Sequence, residues 1–245
     1  MLLTDFDGTL SEVAPTPEAA VVSDLVRAEY DGLSTVPELT VGVVSGRRLH
    51  DVLARIGHAG EFAAGLHGLE IVGPGVEFRH GSLDAVRPVL ARLAEAAERR
   101  LASCPGCLLE NKTYALTCHV RLAPPEQAEQ ALDAFEAIAE PLLEARVLRL
   151  LLGDKAMELL PAVDWDKGHA VSWIRDHVAR LTAHPVAVIY LGDDRTDEDA
   201  FAALGDDDVA IGVGGRPHTH LIDARLAGPA SVGRFFAALR AARTI

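Results

Sequence analysis

The sequence predicts an α/β fold, built on a parallel β-sheet that a smaller α+β segment interrupts. Short and almost continuously apolar segments alternate with helical segments towards both ends of the chain. Strands buried on both faces have this composition, and alternation of strands with helices is typical of a parallel sheet. In the middle of the chain the pattern changes to a helix followed by a hairpin, and it occurs twice.

Two strand–helix pairs and a glycine-rich hairpin are predicted before the interruption. Each strand is apolar and runs into turn-forming residues, and prolines precede the first helix. The predicted segments are strands 1–6 and 39–44, helices 18–30 and 49–56, and a hairpin over 70–78. The same alternation returns after the interruption, with helices 168–181 and 198–204, strands 186–191 and 209–211, and a final helix from about residue 231. We expect these flanks to form one doubly wound sheet.

The middle segment predicts a separate antiparallel domain. It follows an αββαββ pattern: helix 85–101, strands 107–110 and 114–121, helix 126–144, and strands 146–152 and 155–160. Short hairpin loops require antiparallel pairing, so these strands cannot join the parallel sheet. We therefore expect a core domain of residues 1–82 and 163–245, and an inserted cap domain of residues 83–162.

Composition restricts the class of function. The chain has 245 residues, of which 49% are hydrophobic and 24% charged, as in globular proteins. Its net charge of −13 disfavours binding to nucleic acid or to an anionic membrane. The sequence shows no signal peptide and no apolar run of the ~18 residues that a membrane span needs. Three cysteines cannot all be paired, which suits a reducing compartment, so we expect a cytoplasmic protein.

Two carboxylates, Asp5 and Asp7, follow the first predicted strand. Ligands of open parallel sheets bind outside the carboxyl ends of the strands, which is where these residues are expected. At positions i and i+2, one carboxylate could attack phosphorus and form an acyl-phosphate while the other transfers a proton. A solvated acidic turn would have the same sequence, so this motif alone does not decide the function.

Three further features point to phosphate chemistry. Ser45 follows the second strand, where its hydroxyl and the next backbone N–H could hold phosphate oxygens. Lys167 begins a helix, where its ammonium could offset the charge of the nucleophile and the phosphate. Asp193 and Asp197 follow strand 186–191, and a carboxylate set beside a substrate phosphate provides the oxygen ligands that Mg²⁺ prefers.

In this order the four motifs resemble those of the haloacid-dehalogenase-like phosphohydrolases. The resemblance implies Asp5 as the nucleophile and Asp7 as the general acid and then the general base. The catalytic residues that it implies are Asp5, Asp7, Ser45 and Lys167. The implied Mg²⁺ ligands are Asp5, the backbone carbonyl of Asp7, Asp193 and, as a further carboxylate at or behind the metal, Asp197. Asp194 is expected to lie next to these ligands and to help position them without binding the metal itself.

The middle segment is similar to the C2B-type cap of the trehalose-6-phosphate phosphatase family. Segment 192–201, Ser45-Gly46-Arg47 and His67-Gly68 also resemble motifs of that family. The substrate contacts that the resemblance implies are Arg47, His67, Glu110, Lys112 and Glu158, with His119 and Arg121 as weaker candidates. The strand period of two independently places Glu110 and Lys112 on one face, and neutral sugars are gripped by such charged hydrogen-bonding groups.

The resemblance implies Mg²⁺-dependent hydrolysis of trehalose 6-phosphate to trehalose and phosphate through an aspartyl-phosphate. A trehalose-6-phosphate synthase of the same pathway is a candidate partner. One alternative is a phosphatase for another sugar or pseudo-disaccharide phosphate, such as a glucosylglycerol, mannosylglycerate or secondary-metabolite phosphate. The other alternative is a phosphosugar-binding regulator without turnover, although a binder does not need both a nucleophile and an acid.

Two motifs remain outside this hypothesis. Residues 104–107 form a Cys-x-x-Cys motif, but it follows a predicted helix, whereas redox motifs place the first cysteine at a helix start. A zinc site would need about four ligands. We therefore expect thiols without a role. Residues 212–216 are predicted to be a loop near the active site, because they lack the full spacing of a dinucleotide-binding loop.

Overall fold

A computed structural model describes residues 1–57, 62–215 and 221–243 of the chain. The chain divides into two compact units, one of residues 1–78 with 165–245 and one of residues 79–164. Residue 216, the last of the predicted loop 212–216, lies outside the described residues.

The first unit is built on a mixed β-sheet. In chain order its strands are β1 (Leu2–Thr4), β2 (Val41–Val44), β3 (Phe62–Gly65), β4 (Glu70–Gly73), β5 (Val76–Arg79), β10 (Ile189–Gly192), β11 (Val209–Val213) and β12 (Ala224–Leu226). Among the described residues these eight strands lie in the order β12-β11-β10-β1-β2-β3-β4-β5. Neighbours from β12 to β3 pair in parallel, and β3 pairs with β4 antiparallel. The parallel-sheet core confirms the predicted α/β class.

Helices cover both faces of this sheet. They are α1 (Asp24–Ser34), α2 (Leu49–Ile56), α5 (Lys167–Thr182), α6 (Asp197–Ala202) and α7 (Pro229–Arg243). Leu2 packs in an apolar cluster with side chains of α1, α2 and α7, whereas Leu3 packs in a second cluster with side chains of α5 and α6. Successive strand residues therefore point into different cores, as in a doubly wound sheet.

The position of β1 sets the place of the site. From β1 the chain proceeds through β2 to β3 on one side, and it returns as β10 on the other side. Ligands of open α/β sheets bind where the strand order reverses in this way, beyond the carboxyl ends. The residues directly beyond β1, β2 and β10 are Asp5, Ser45 and Asp193.

Two strands of the structure were not predicted from the sequence, and a third is shorter than predicted. β3 is rich in alanine and glycine, and β12 is a three-residue edge strand, so neither carries the β-branched pattern of a buried strand. Strand 186–191 was predicted three residues too long at its start. In the structure β10 begins at Ile189, which pairs with Leu2, the first residue of β1.

The second unit is a four-stranded sheet with two helices. Its elements are α3 (Leu83–Leu101), β6 (Leu108–Asn111), β7 (Leu116–His119), α4 (Pro125–Glu144), β8 (Leu148–Gly153) and β9 (Ala156–Pro161). The four strands found among the described residues lie in the order β6-β7-β9-β8, and every neighbouring pair is antiparallel. Both helices share one apolar core with strand residues such as Leu116, Cys118 and Leu159. Residues that alternate with these point to the opposite face.

The chain leaves and re-enters the first unit at neighbouring points. The units divide after Phe78 and before Trp165. These two aromatic rings stack, with centroids 4.9 Å apart and an interplanar angle of 22°. The Trp165 indole Nε1 donates a hydrogen bond of 2.8 Å to the Gly68 carbonyl, which fixes this junction to the first unit. No helix within the described ranges has the length and apolarity that a membrane span requires.

Replacing Gly65 by alanine should destabilise the first unit. A Cβ at this position would lie 2.3 Å from the backbone nitrogen of Leu49 and 2.6 Å from its Cα, so β3 and α2 would have to separate. We expect Gly65→Ala to lower the free energy of unfolding by about 1–3 kcal/mol, the usual cost of overpacking. Urea unfolding measures this.

The matched control is Gly81→Ala, where no heavy atom of the described residues lies within 4 Å of the new Cβ. A surface change of this kind should alter the free energy of unfolding by no more than about 0.5 kcal/mol. Equal effects of the two substitutions would contradict the close approach at Gly65.

Candidate active site

Lys167 joins two of the predicted carboxylates. Its Nζ donates hydrogen bonds to Asp5 Oδ1 at 2.7 Å and to Asp197 Oδ1 at 2.8 Å. All three side chains are buried. Burial lowers the pKa of Lys167, but the two ion pairs outweigh this effect and raise it above its usual value. The ammonium therefore stays charged beside the predicted nucleophile.

Asp197 uses both of its oxygens as hydrogen-bond acceptors. Oδ1 accepts from Lys167 and from the Tyr190 hydroxyl, at 2.8 and 2.7 Å. Oδ2 accepts from the backbone N–H groups of Asp193 and Asp194, both at 3.1 Å. These four bonds fix the loop after β10 and leave little lone-pair capacity for a further ligand. Asp197 thus has the geometry of a residue that positions its neighbours.

Asp193 completes an acidic group that could hold a cation. Carboxylate oxygens of Asp5, Asp193 and Asp197 lie within 4.8 Å of one another, the one such group found in the part of the chain that the structure describes. Asp193 Oδ1 is buried and has no hydrogen-bond partner among the described residues. A buried oxygen without a partner is costly unless a ligand satisfies it. The donor set therefore fits a divalent cation that prefers oxygen ligands.

The electrostatics of this group also favour a cation. Burial, with the charges of Asp5 and Asp197, raises the pKa of Asp193 to about 9. Burial also raises the pKa of Asp5, to about 7, although Lys167 opposes the shift. A divalent cation would offset the repulsion and favour the ionised form of both carboxylates.

Arg47 binds Asp7, the predicted general acid. Its Nε and Nη2 donate to the two carboxylate oxygens of Asp7 at 2.6 and 2.7 Å, in the two-pronged geometry typical of arginine. Nη1 donates to Asp51 Oδ2 at 2.7 Å, and Nη2 also donates to the Pro17 carbonyl at 2.8 Å. The guanidinium lies 5.0 Å from the centroid of the Phe6 ring. Arg47 thus holds a protein carboxylate in this structure, whereas the sequence predicts a substrate contact.

Ser45 follows β2 and His67 lies in the turn after β3, and the two residues are in contact. Ser45 is buried, and its Oγ accepts a hydrogen bond of 3.2 Å from the backbone of Arg47. The His67 N–H donates to the Ser45 carbonyl at 2.9 Å. His67 has a φ of 58°, a left-handed conformation that costs a non-glycine residue roughly 1–3 kcal/mol. Strain of this kind is common at ligand sites, so His67 stays a candidate contact.

The second unit contains a polar cluster on the sheet face opposite its helices. Lys112 Nζ donates to Glu158 Oε1 at 2.7 Å, and the Thr117 hydroxyl donates to the same oxygen at 3.1 Å. His119 Nε2 lies 2.8 Å from Glu110 Oε2, and Lys112 lies 3.9 Å from it. The three sugar-binding candidates of this unit, Glu110, Lys112 and Glu158, therefore lie side by side.

The sequence matches the model of the trehalose-phosphatase family over residues 3–220. The chain belongs to the trehalose-phosphatase family. It is 38% identical over 208 residues to the trehalose-phosphate phosphatase of Mycobacterium marinum, which covers 84% of this chain and 52% of that protein. The chain thus spans about half the length of the curated relatives that it matches.

Solved structures show the same fold. The C-terminal domain of Candida albicans trehalose-6-phosphate phosphatase aligns with a TM-score of 0.81 and 21% identity, over 98% of this chain and 92% of that one. A trehalose-6-phosphate phosphatase related protein aligns with a TM-score of 0.82 and 22% identity, over 100% and 99%. This family member therefore has the architecture of those phosphatases.

In this trehalose-phosphatase family member, three side chains that were not predicted make hydrogen bonds to the predicted site residues. Tyr190 bonds to Asp197, Asp51 bonds to Arg47, and Thr117 bonds to Glu158. Tyr190 is the polar member of an otherwise apolar strand, and Asp51 lies four residues after Arg47, so both had a signal in the sequence. Thr117 falls on the polar side of its predicted strand, but threonine is common on strands, so this pattern did not single it out.

Compared with the wild type, Asp193→Asn should be more stable without a divalent cation and less stable when the cation is bound. Because the pKa of Asp193 is raised from 3.8 to about 9, the wild-type protein without a divalent cation should lose stability as pH rises through this window. Asparagine carries no charge, so the variant should melt at a higher temperature than the wild type at pH 8 in EDTA. Added MgCl₂ should stabilise the wild type and leave the variant almost unchanged.

The control is Asp194→Asn, because Asp194 Oδ1 instead accepts a hydrogen bond from the Arg195 backbone. This variant should keep the MgCl₂ effect. Full stabilisation of Asp193→Asn by MgCl₂ would exclude Asp193 as a ligand.

Proposed function

We propose that the chain is a phosphatase that hydrolyses trehalose 6-phosphate to trehalose and inorganic phosphate. The observation that carries the proposal is the buried group of Asp5, Lys167 and Asp193 at the reversal of strand order. A carboxylate nucleophile, a fixed ammonium and a cation-binding carboxylate are the parts that phosphoryl transfer needs. Family membership supports the choice of sugar phosphate.

Asp5 and Asp7 divide the reaction into two steps. A carboxylate oxygen of Asp5 bonds to phosphorus while the bond from phosphorus to the sugar oxygen breaks, and Asp7 gives its proton to the leaving oxygen. Asp7 then takes a proton from a water molecule that attacks the aspartyl-phosphate, which releases phosphate and restores the Asp5 carboxylate. Lys167 offsets negative charge in both steps, and the Ser45 hydroxyl orients a phosphate oxygen.

The ion pair with Arg47 holds Asp7 in the position that it has before the substrate binds. Both of its oxygens accept hydrogen bonds from Arg47 in this position. Asp7 must leave this pair before it can reach the leaving oxygen of the substrate. Arg47 is then free to contact the substrate, so its observed and predicted partners belong to different stages of the reaction.

The metal-binding residues in this proposal are Asp5, Asp193 and the backbone carbonyl of Asp7, with Asp197 fixing the loop and Asp194 beside it. The proposed cation is Mg²⁺, because these are hard oxygen ligands that leave room for substrate phosphate. When bound it would polarise the phosphoryl oxygens and reduce repulsion between phosphate and carboxylates.

We assign sugar recognition to the second unit, as a cap domain. Support comes from the cluster of Glu110, Lys112 and Glu158, which is largely buried and yet rich in charge. Charged groups make the stronger hydrogen bonds to neutral hydroxyls, and a site built for hydroxyls rejects analogues that lack them.

Phosphate release over a panel of sugar phosphates tests the proposal. With MgCl₂ present, we expect kcat/KM for trehalose 6-phosphate to exceed that for sucrose 6-phosphate and glucose 6-phosphate by about 100-fold, which equals about 2.7 kcal/mol. Asp5→Asn should reduce release to background while its melting curve shows a folded protein.

Each alternative gives a different result in the same assay. A preference for another sugar phosphate would keep the roles of Asp5 and Asp7 and overturn the choice of substrate. Tight binding of trehalose 6-phosphate by the wild type without phosphate release would favour a regulator.

Glu158→Gln tests the assignment of the second unit. Glutamine keeps the shape of the side chain but removes the charge next to Lys112, so binding of sugar hydroxyls should weaken. We expect kcat/KM for trehalose 6-phosphate to fall about 10-fold or more, or about 1.4 kcal/mol, with p-nitrophenyl phosphate unaffected. Glu136→Gln, on the exposed face of α4, is the control and should change neither value. An equal loss for both substrates would overturn a role in sugar recognition.

A further inference from the structure

Residues 104–107 form a tight turn between α3 and β6, with a cysteine at each end. The Cys107 N–H donates to the Cys104 carbonyl at 3.3 Å, which closes a four-residue turn. Pro105 follows the first cysteine, and Gly106 has a φ of +81°. Proline at the second position and a left-handed glycine at the third are the signature of a type II turn.

Packing holds this turn in place. A Cβ on Gly106 would lie 2.4 Å from the Leu122 carbonyl oxygen and 2.7 Å from the Ala123 Cα, so the turn lies directly on that backbone. The Cys104 N–H also donates to the Leu101 carbonyl at 2.9 Å, which ties the turn to the end of α3. Both ends of the turn are therefore fixed relative to each other.

The two thiols lie on the same side of the turn. Cys104 and Cys107 are each half-buried, and both pack against the apolar core of the second unit, which also includes Cys118. Burial raises the pKa of Cys107, and Cys104 raises it further, in part through a side-chain hydrogen bond between the two. A β-turn holds its end Cα atoms within about 7 Å, and disulfides span about 4.4–6.8 Å, so this turn is compatible with a bridge between its two ends.

We propose that Cys104 and Cys107 form a reversible dithiol–disulfide couple, which takes low-molecular-weight disulfides as its oxidant. The thiolate of one cysteine attacks a sulfur of oxidised glutathione and releases one glutathione thiolate. The second cysteine attacks the mixed disulfide, releases the second glutathione, and closes the ring. The protein loses two hydrogen atoms, and they leave with two molecules of reduced glutathione.

Cys118 and metal binding do not fit this pair. Cys118 is buried beneath the sheet, out of reach of a solution oxidant. The three thiols do not form a ligand group either, since the acidic group at Asp5 is the one found among the described residues. The couple is independent of phosphatase chemistry, and its test needs no activity measurement.

Oxidation of the intact protein with oxidised glutathione at pH 8 tests the couple. We expect the mass to fall by about 2 Da, for the loss of two hydrogens. Free thiols should fall from three to one, and peptide mapping should place the bridge between Cys104 and Cys107. Dithiothreitol should restore all three thiols.

Cysteine variants provide the controls. Cys118→Ser should still close the bridge, with no free thiol remaining. Cys104→Ser and Cys107→Ser should each keep one bound glutathione, a gain of about 305 Da, because no second thiol resolves it. A wild-type protein that keeps glutathione adducts, bridges to Cys118, or stays oxidised in dithiothreitol would overturn the proposal.

Discussion

The two ion pairs of the Lys167 ammonium are the interaction on which the rest of the first unit's site depends. They join two carboxylates that belong to distant parts of the chain, one after the first strand and one at the start of α6. Removing one partner of a buried ion pair leaves an uncompensated charge and commonly costs about 3–5 kcal/mol. Because α5 begins at this lysine, the same contact sets where that helix starts relative to the sheet.

The site contains more negative than positive charge. Within the described residues, Lys167 is shared by two carboxylates, and Asp193 lies beside them without a cationic partner of its own. A protein selected for stability alone would not bury this excess, so the imbalance indicates function. The surplus negative charge suits a divalent cation, and the cation in turn suits a phosphate dianion.

Sequence rules predicted the sheet edge well, because they depend on backbone topology. The sequence placed Asp5 and Asp193 each at the carboxyl end of its strand, and because β10 pairs with β1 in the structure the two residues meet. The partner of Arg47 could not be predicted in the same way. A long side chain with five donors can reach a phosphate, a carboxylate or a carbonyl, and only packing around Phe6 and Asp51 selects among them. Strand β3 also depends on its surroundings. Its alanines have a low propensity for strands, and they are buried because neighbouring elements pack on them.

The stacked rings of Phe78 and Trp165 have a consequence for how this chain can evolve. They lie side by side at the points where the chain leaves and re-enters the first unit. A segment whose entry and exit points are adjacent can be lengthened, exchanged or transplanted without reshaping its host. The inserted segment and the sheet can therefore change separately, and a chimera that joins this sheet to another family's insert should preserve the aromatic pair together with the hydrogen bond from Trp165 to Gly68.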